Sequence, residues 1–184
     1  MKKLLLSLVL LCAVAFTAQA QEIGSKWVSG SAGVWSTKTG NGKRMTNYNI
    51  VPEMGFVVGE NLGVGVKLGF THDDEYALLN QKVKVDIYEI NPFVRYTFAK
   101  GNIGALFVDG GVGYGYVKLG GLNGDSFDIG LRPGVAFNVS DNISLIGTFG
   151  FLGYQSLKVK SYKSDAFGLN FDLSEIQLGV SFIF

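Results

Sequence analysis

Cysteine, histidine and proline are scarce in this 184-residue chain, and each shortage excludes something. The one cysteine is Cys12. A lone thiol near the start supports neither a disulfide framework nor a metal-thiolate centre. The one histidine is His72, and no motif surrounds it with the nucleophile and orienting partner that His-assisted catalysis requires. Neither sign of charge dominates: 16 Lys and Arg stand against 15 Asp and Glu, a formal net charge of +1. With no basic block, the electrostatic footprint of a nucleic-acid binder is missing. Beyond residue 20 no apolar run approaches the roughly 20 residues of a transmembrane helix.

The first twenty residues read as a secretory signal. Lys2 and Lys3 form a positive start, Leu4 to Phe16 an apolar stretch, and Ala18-Gln19-Ala20 a small-x-small cleavage site. The expected organisation is a signal peptide over 1–20 and a single domain over 21–184. Leu11 before Cys12 argues against a lipoprotein signal. Losing Lys2 and Lys3 takes the formal charge from +1 to −1. An exported chain without thiols is consistent with the cysteine count.

What the chain has in quantity is repetition and alternation. Pro52-Glu-Met-Gly-Phe56, Pro92-Phe-Val-Arg-Tyr96 and Pro133-Gly-Val-Ala-Phe137 share one pattern. Each precedes a polar turn, at Glu60-Asn61-Leu62, Gly101-Asn102-Ile103 and Asp141-Asn142-Ile143. A period of about 40 residues fits repeated pairs of long strands. Between the turns, apolar and polar residues alternate with period two. Leu62, Val64, Val66, Leu68 and Phe70 oppose Gly63, Gly65, Lys67 and Gly69, and Tyr88 to Phe98 oppose Glu89, Asn91 and Arg95. The same holds over Tyr48–Val58, Leu106–Tyr116 and Phe127–Val139. Strand one, about Lys26 to Ser36, leaves its lipid-facing side open: Trp27 and Trp35 share a parity with Ser29 and Ser31, and Val28, Ala32 and Val34 hold the other. The seventh strand, near Ile143 to Leu157, is apolar on both faces.

The reading is all-β: an eight-stranded antiparallel up-and-down barrel in a membrane. The strands exceed the usual soluble length of about 5–6 residues; glycine is abundant, 26 in the full chain, and spread through the strands, and the polar face is rich in it, suiting a crowded interior. Tight connections near 60, 101 and 141 alternate with longer polar ones near 37–44, 73–82, 118–125 and 157–166. Short periplasmic turns and longer outer loops are the outer-membrane arrangement. Both termini are then periplasmic. Tyr48, Tyr88 and Tyr116 lie toward the long loops, and Phe56, Phe98, Phe137, Phe182 and Phe184 toward the turns, as two aromatic girdles. Prolines at matching depths point to bulges or relaxed pairing.

Folding each hairpin about its turn sets Glu53 opposite Lys67, Lys67 opposite Glu89, Arg95 near Asp109, and Asp109 opposite Arg132. Acid and base then alternate around the lumen. An eight-stranded interior is just wide enough for side chains, so these charges are expected to form a plug; a charge-lined pore is the rival. No catalytic, cofactor or metal residues are assigned. The run His72-Asp73-Asp74-Glu75 could offer oxygen ligands to a divalent cation, but the solvated acidic tip is favoured, since it lacks a calcium-loop spacing. Lys158-Val-Lys-Ser-Tyr-Lys163 could meet lipopolysaccharide phosphates.

Pro52 to Val66, Pro92 to Phe98 and the closing Leu178-Gly-Val-Ser-Phe-Ile-Phe184 resemble the small outer-membrane β-barrel family of porin-like, OmpX-type and opacity-type proteins, Bacteroidetes-like in flavour. The resemblance implies a Gram-negative outer-membrane location. It also implies that Leu178, Val180, Phe182 and Phe184 are the signal read by the barrel assembly machinery. No catalytic residue carries over. The expected role is structural or surface interaction, in a monomer partnered by outer-membrane lipid and lipopolysaccharide, and by the assembly machinery during biogenesis, with no nucleic acid. A narrow porin-like channel for small solutes is the second reading, and a lipid-modifying enzyme the third.

Overall fold

A computed structural model describes residues 23–38, 44–78, 81–160, 162–170 and 177–184. The expected signal peptide lies outside the described residues. Every regular element among those described is a strand. They are β1 (Lys26–Lys38), β2 (Arg44–Gly59), β3 (Leu62–Leu78), β4 (Gln81–Lys100), β5 (Gly104–Leu119), β6 (Leu122–Asn138), β7 (Ile143–Thr148), β8 (Phe151–Val159), β9 (Tyr162–Asn170) and β10 (Gln177–Ile183).

Consecutive strands from β1 to β6 pair antiparallel. Then β6 pairs with β8 along Gly124–Leu131 and with β7 along Gly134–Asn138. Next β8 pairs with β9, β7 with β10, and β10 with β1. Thus β7 and β8 are two lengths of one stave, and β9 and β10 of another. Eight staves close into a barrel. At the seam the Lys26 N–H donates to the Phe184 carbonyl at 2.7 Å, and the Phe184 N–H donates back to the Lys26 carbonyl at 2.9 Å. Leu178, Val180 and Phe182 share the outward face of β10.

A bilayer-spanning strand takes about 9–11 residues. β2 to β6 have 16, 17, 20, 16 and 17 residues, so they overshoot a membrane. The overshoot is all at one end. At the other, Glu60–Asn61 and short runs at 101–103 and 139–142 close the hairpins. Two of the connections expected to be long polar loops are continued ladders: Leu119 still faces Leu122 across Gly120–Gly121, and Val159 faces Tyr162.

The seventh stave explains its own two-faced sequence. Gly147 faces Val135 and Leu152 faces Leu131. β6 covers that interval in four residues and its partner in five. The extra residue is a bulge at Phe149–Gly150, with Gly150 at φ +73. A one-residue insertion reverses side-chain parity. Leu145 (50% exposed) therefore points outward from an odd position and Leu152 (43%) from an even one. Strand one resolves too: Trp27 and Ser29 are buried inward while Val28 and Val34 face out.

Each proline breaks one ladder and leaves the other intact. Pro52 is in register with Gly30, Pro92 with Val66, Pro133 with Val108. On the other side, β2–β3 skips from Ile50↔Phe70 to Glu53↔Lys67, and β4–β5 from Ile90↔Tyr114 to Phe93↔Gly111, without a shift. In a strand, a residue's N–H and C=O address the same neighbour, so the missing N–H weakens one side only. Pro133 has its gap at the bulge, where its carbonyl accepts from the Phe149 N–H at 3.1 Å.

Replacing Gly150 by Ala should cost about 1–2 kcal/mol, the penalty of a left-handed non-glycine residue. Deleting Gly150 should instead turn one half of the stave inside out and abolish the heat-modifiable folded band in gel electrophoresis. A normal folded band from the deletion would show that the bulge does not set the register.

Candidate functional site

The lumen is filled in tiers, starting from the end that carries the short turns. A polar cavity of about 850 Å³ opens there, lined by Asn61, Lys100, Asn102, Asn138 and Ser181 among others, with Arg95, Trp27 and Phe107 along its inner side.

The next tier is a four-charge cluster. Asp109 on β5 has 2% of its side chain exposed. Its Oδ1 accepts from Arg95 Nε at 2.7 Å, and its Oδ2 from Arg95 Nη2 at 2.8 Å and from Lys67 Nζ at 2.6 Å. Glu53 on β2 closes the ring: Oε1 lies 3.0 Å from Arg95 Nη2 and Oε2 lies 3.7 Å from Lys67 Nζ. Trp27 Nε1 and Ser29 Oγ also donate to Glu53 Oε1, at 2.7 and 3.1 Å. Two carboxylates and two cations thus balance one another in a largely buried cluster, the condition under which buried charge is tolerated. Aromatic rings complete it. The Arg95 guanidinium sits 4.1 Å from the Phe107 ring centre, and Lys67 Nζ sits 4.5 Å from that of Phe93, both within cation–π range. Glycines make the space: a Cβ on Gly55 would run into the Trp27 ring.

Above this lies a second cluster of Glu89, Asn91, Asp128 and Arg132. Arg132 Nη2 donates to Asp128 Oδ1 at 2.5 Å. Beyond it an aliphatic tier of buried Val85, Val117, Leu119 and Val159, with Ile87, Leu122 and Leu157 against it, lines the β4, β5, β6 and β8 side of the lumen.

The six charged residues read from the sequence all point inward, but two expected partnerships differ. Glu53 faces Lys67, and Arg95 faces Asp109, in register. Lys67 is opposite Asn91, not Glu89, because the β3–β4 register differs by two residues from the one expected about the loop centre. Its ammonium instead reaches across to Asp109. Arg132 is opposite Asp109 in register, yet its side chain runs along its own strand to Asp128. Asp109 is therefore held between Arg95 and Lys67. Asp128 and Asn91 had gone unassigned, although their inward parity was available. Trp27 could not be placed until the face of strand one was known.

Outside, a band of charge sits beyond the tyrosine girdle at the end with the long arms. Tyr48, Phe70 and Tyr88 form a row with centroid spacings of 5.7 and 4.9 Å. Beyond them His72 Nδ1 lies 2.5 Å from Asp86, and Lys84 Nζ 3.1 Å from Asp74. Lys118 Nζ sits 5.6 and 5.9 Å from the Tyr88 and Tyr116 ring centres. Tyr114 and Tyr154 hydroxyls donate to Asp125 and Asp165, and Lys163 pairs with Asp165. Strand alternation puts Asp73 on the opposite face from His72 and Asp74, so the acidic run does not converge on one point. Both His72 nitrogens face carboxylates, Nε2 lying 3.4 Å from Asp74.

The family described as "Outer membrane protein beta-barrel domain" matches residues 5–184. The chain belongs to this outer-membrane β-barrel family. Among solved structures it is similar to Neisserial surface protein A, with 16% identity and a TM-score of 0.56 over 91% of this chain and 100% of that one. It is also similar to OprG from Pseudomonas aeruginosa, with 11% identity and a TM-score of 0.56 over 91% and 99%. A major outer membrane protein from Thermus thermophilus gives 16% and 0.51 over 89% and 100%. No curated protein matches the chain. At such identities the structural likeness is one of fold. A barrel of this family carries outward apolar strands in the outer membrane, so the inward residues are shielded by lipid and by one another.

Removing Asp109 strands two cations, and breaking a buried pair from one side costs about 3–5 kcal/mol. Asp109→Ala should lower the urea midpoint accordingly. A double-mutant cycle separates the partners: Asp109 should couple to Arg95 and Lys67 by more than about 1 kcal/mol, and to Arg132 by less than about 0.5 kcal/mol. Strong coupling to Arg132 would refute the observed pairing.

Proposed function

We propose that this protein is a closed-lumen outer-membrane barrel with a structural or surface-interaction role, and neither a solute channel nor an enzyme. The observation that carries this is the tiered filling: a neutralised four-charge cluster, a second polar cluster and an aliphatic tier succeed one another along the axis. The 850 Å³ cavity is then a blind vestibule. With the short turns and Phe184 on the periplasmic side, the long arms stand outside the cell. The charged band beyond the tyrosines then lies at outer-leaflet headgroup depth, where its lysines suit lipopolysaccharide phosphates. The terminal Leu178, Val180, Phe182 and Phe184, on one lipid-facing edge beside the seam, suit recognition by the assembly machinery.

In planar bilayers the purified protein should give no discrete conductance steps; steady wild-type channels would replace this reading with the channel. Orientation is tested on intact cells with single cysteines and an impermeant thiol reagent. Cysteine at Gly120 should be labelled, and cysteine at Glu60 should not. The reverse pattern would mean that the long arms face the periplasm.

A further inference from the structure

The β8–β9 hairpin sets two cations against each other. Lys158 on β8 stands directly opposite Lys163 on β9. Leu157 packs into the lumen from β8, so strand alternation turns its neighbour Lys158 outward, and Lys163 shares that face as its cross-strand partner. Directly opposed side chains have Cβ atoms about 4.5–5.5 Å apart, and like charges so placed repel. Lys163 has a carboxylate partner, Asp165, at 2.8 Å. Lys158 has no ion pair among the described residues. Asp125 of β6 stands opposite it on its other side, but Asp125 Oδ1 accepts from the Tyr114 hydroxyl at 2.8 Å instead. A further cation, Lys160, stands at the hairpin tip with φ +48, a left-handed position that glycine would occupy without strain. Residues 158–165 thus hold three lysines and one aspartate, a net charge of +2.

A second observation lies below these lysines on the same two strands. Phe167 and Leu169 continue the outward face of β9 and are 81% and 67% exposed, and Phe167 is the most exposed large apolar side chain among the described residues. Leu152 of β8, opposite Leu169, extends the apolar surface sideways. Tyr154, opposite Phe167, donates its hydroxyl to Asp165 at 2.7 Å and so marks the polar end of that surface. Phe167 and Lys163 are four residues apart, about 13 Å along a strand at about 3.3 Å per residue. At a tilt of about 45° this is about 9 Å of height. Cations held at that height over an exposed apolar face suit an amphiphile with an anionic head, and not a free ion in water.

We propose that Lys158 and Lys163 form a seat for the phosphomonoester of one membrane lipid, whose chains lie against Phe167 and Leu169. A phosphomonoester carries about −1.5 to −2 at neutral pH, which matches the charge of the hairpin tip. A phosphodiester has a single negative charge and leaves the tip cationic. The terminal oxygens of a monoester accept charge-assisted hydrogen bonds from both ammoniums at once. Repulsion between the lysines is thereby replaced by attraction to a shared anion. The seat rests on the reading that the charged band lies at headgroup depth, and it adds which head group is gripped and by which lysines.

Native mass spectrometry of the full barrel, released from neutral-detergent micelles doped with equal amounts of phosphatidic acid and phosphatidylglycerol of the same chains, reads the seat directly. Wild type should retain one phosphatidic acid, preferred over phosphatidylglycerol by about tenfold or more. Lys158→Ala and Lys163→Ala should each abolish that preference. Lys84→Ala, which removes a lysine paired with Asp74 on other strands, should keep it. Equal retention of the two lipids by wild type, or an unchanged preference in Lys158→Ala, would overturn the seat. Displacement of the bound lipid by an equal concentration of glucose 1-phosphate would assign the lysines to free phosphate and overturn the lipid as its source.

Stability supplies an independent readout. Without anionic lipid, Lys158→Ala relieves a like-charge contact, so its urea midpoint in neutral detergent should equal or exceed that of wild type. A lower midpoint, or failure to fold, would contradict the unpaired charge from which the seat is inferred. Cysteine labelling on intact cells separates the seat from the parent reading. Lipid selectivity with Glu60→Cys labelled in place of Gly120→Cys overturns the orientation alone, whereas labelled Gly120→Cys without selectivity overturns the seat alone.

Discussion

Closure of eight staves into one ring is the constraint on which the rest depends. It lets neighbouring staves satisfy one another's backbone inside a bilayer, where water cannot. It also leaves an interior only wide enough for side chains. A charge that points inward then needs a partner of opposite sign. Glu53, Lys67, Arg95 and Asp109 meet this demand together, from four neighbouring strands, and no two of them would be neutral and fully bonded alone. The glycines follow from the same constraint. They are absent volume, placed where Trp27, Phe93 and Phe107 need somewhere to lie.

The same closure makes irregularity expensive, and the chain confines it. A closed sheet has no edge strand on which to hide a proline. Pro52, Pro92 and Pro133 each interrupt a single ladder, and the third coincides with the Gly150 bulge, so two defects are superposed. One extra residue there reconciles a stave whose two halves present opposite parities to the lipid. A stave of unbroken parity would have put either Leu145 or Leu152 into the lumen.

Outside, the depth profile reads aromatic, aliphatic, aromatic, then charge. The charged band pairs opposite signs, across neighbouring strands through Asp86 with His72 and along β9 through Asp165 with Lys163, so it is anchored to strands of the barrel. Arms built as continued ladders hold it at a fixed height.

Local chemistry settled much of this protein before any fold was considered. Period two, spaced turns and the want of helical runs determine long strands with one lipid face, since side-chain direction in a strand depends only on position along it. That is why the outward residues of β2 to β6, the aromatic girdles and the inward charges were legible. The tertiary structure decided what parity cannot carry. The lipid face of strand one depends on its neighbours, because serine and valine there fit either side. The bulge at Phe149–Gly150 is invisible as a pattern, since it is a change of pattern. Who pairs with whom in the lumen also depends on closure. Lys67 reaches Asp109 two strands away, and Arg132 turns along its own strand, because long side chains in a narrow tube choose partners by distance across the ring and not by register.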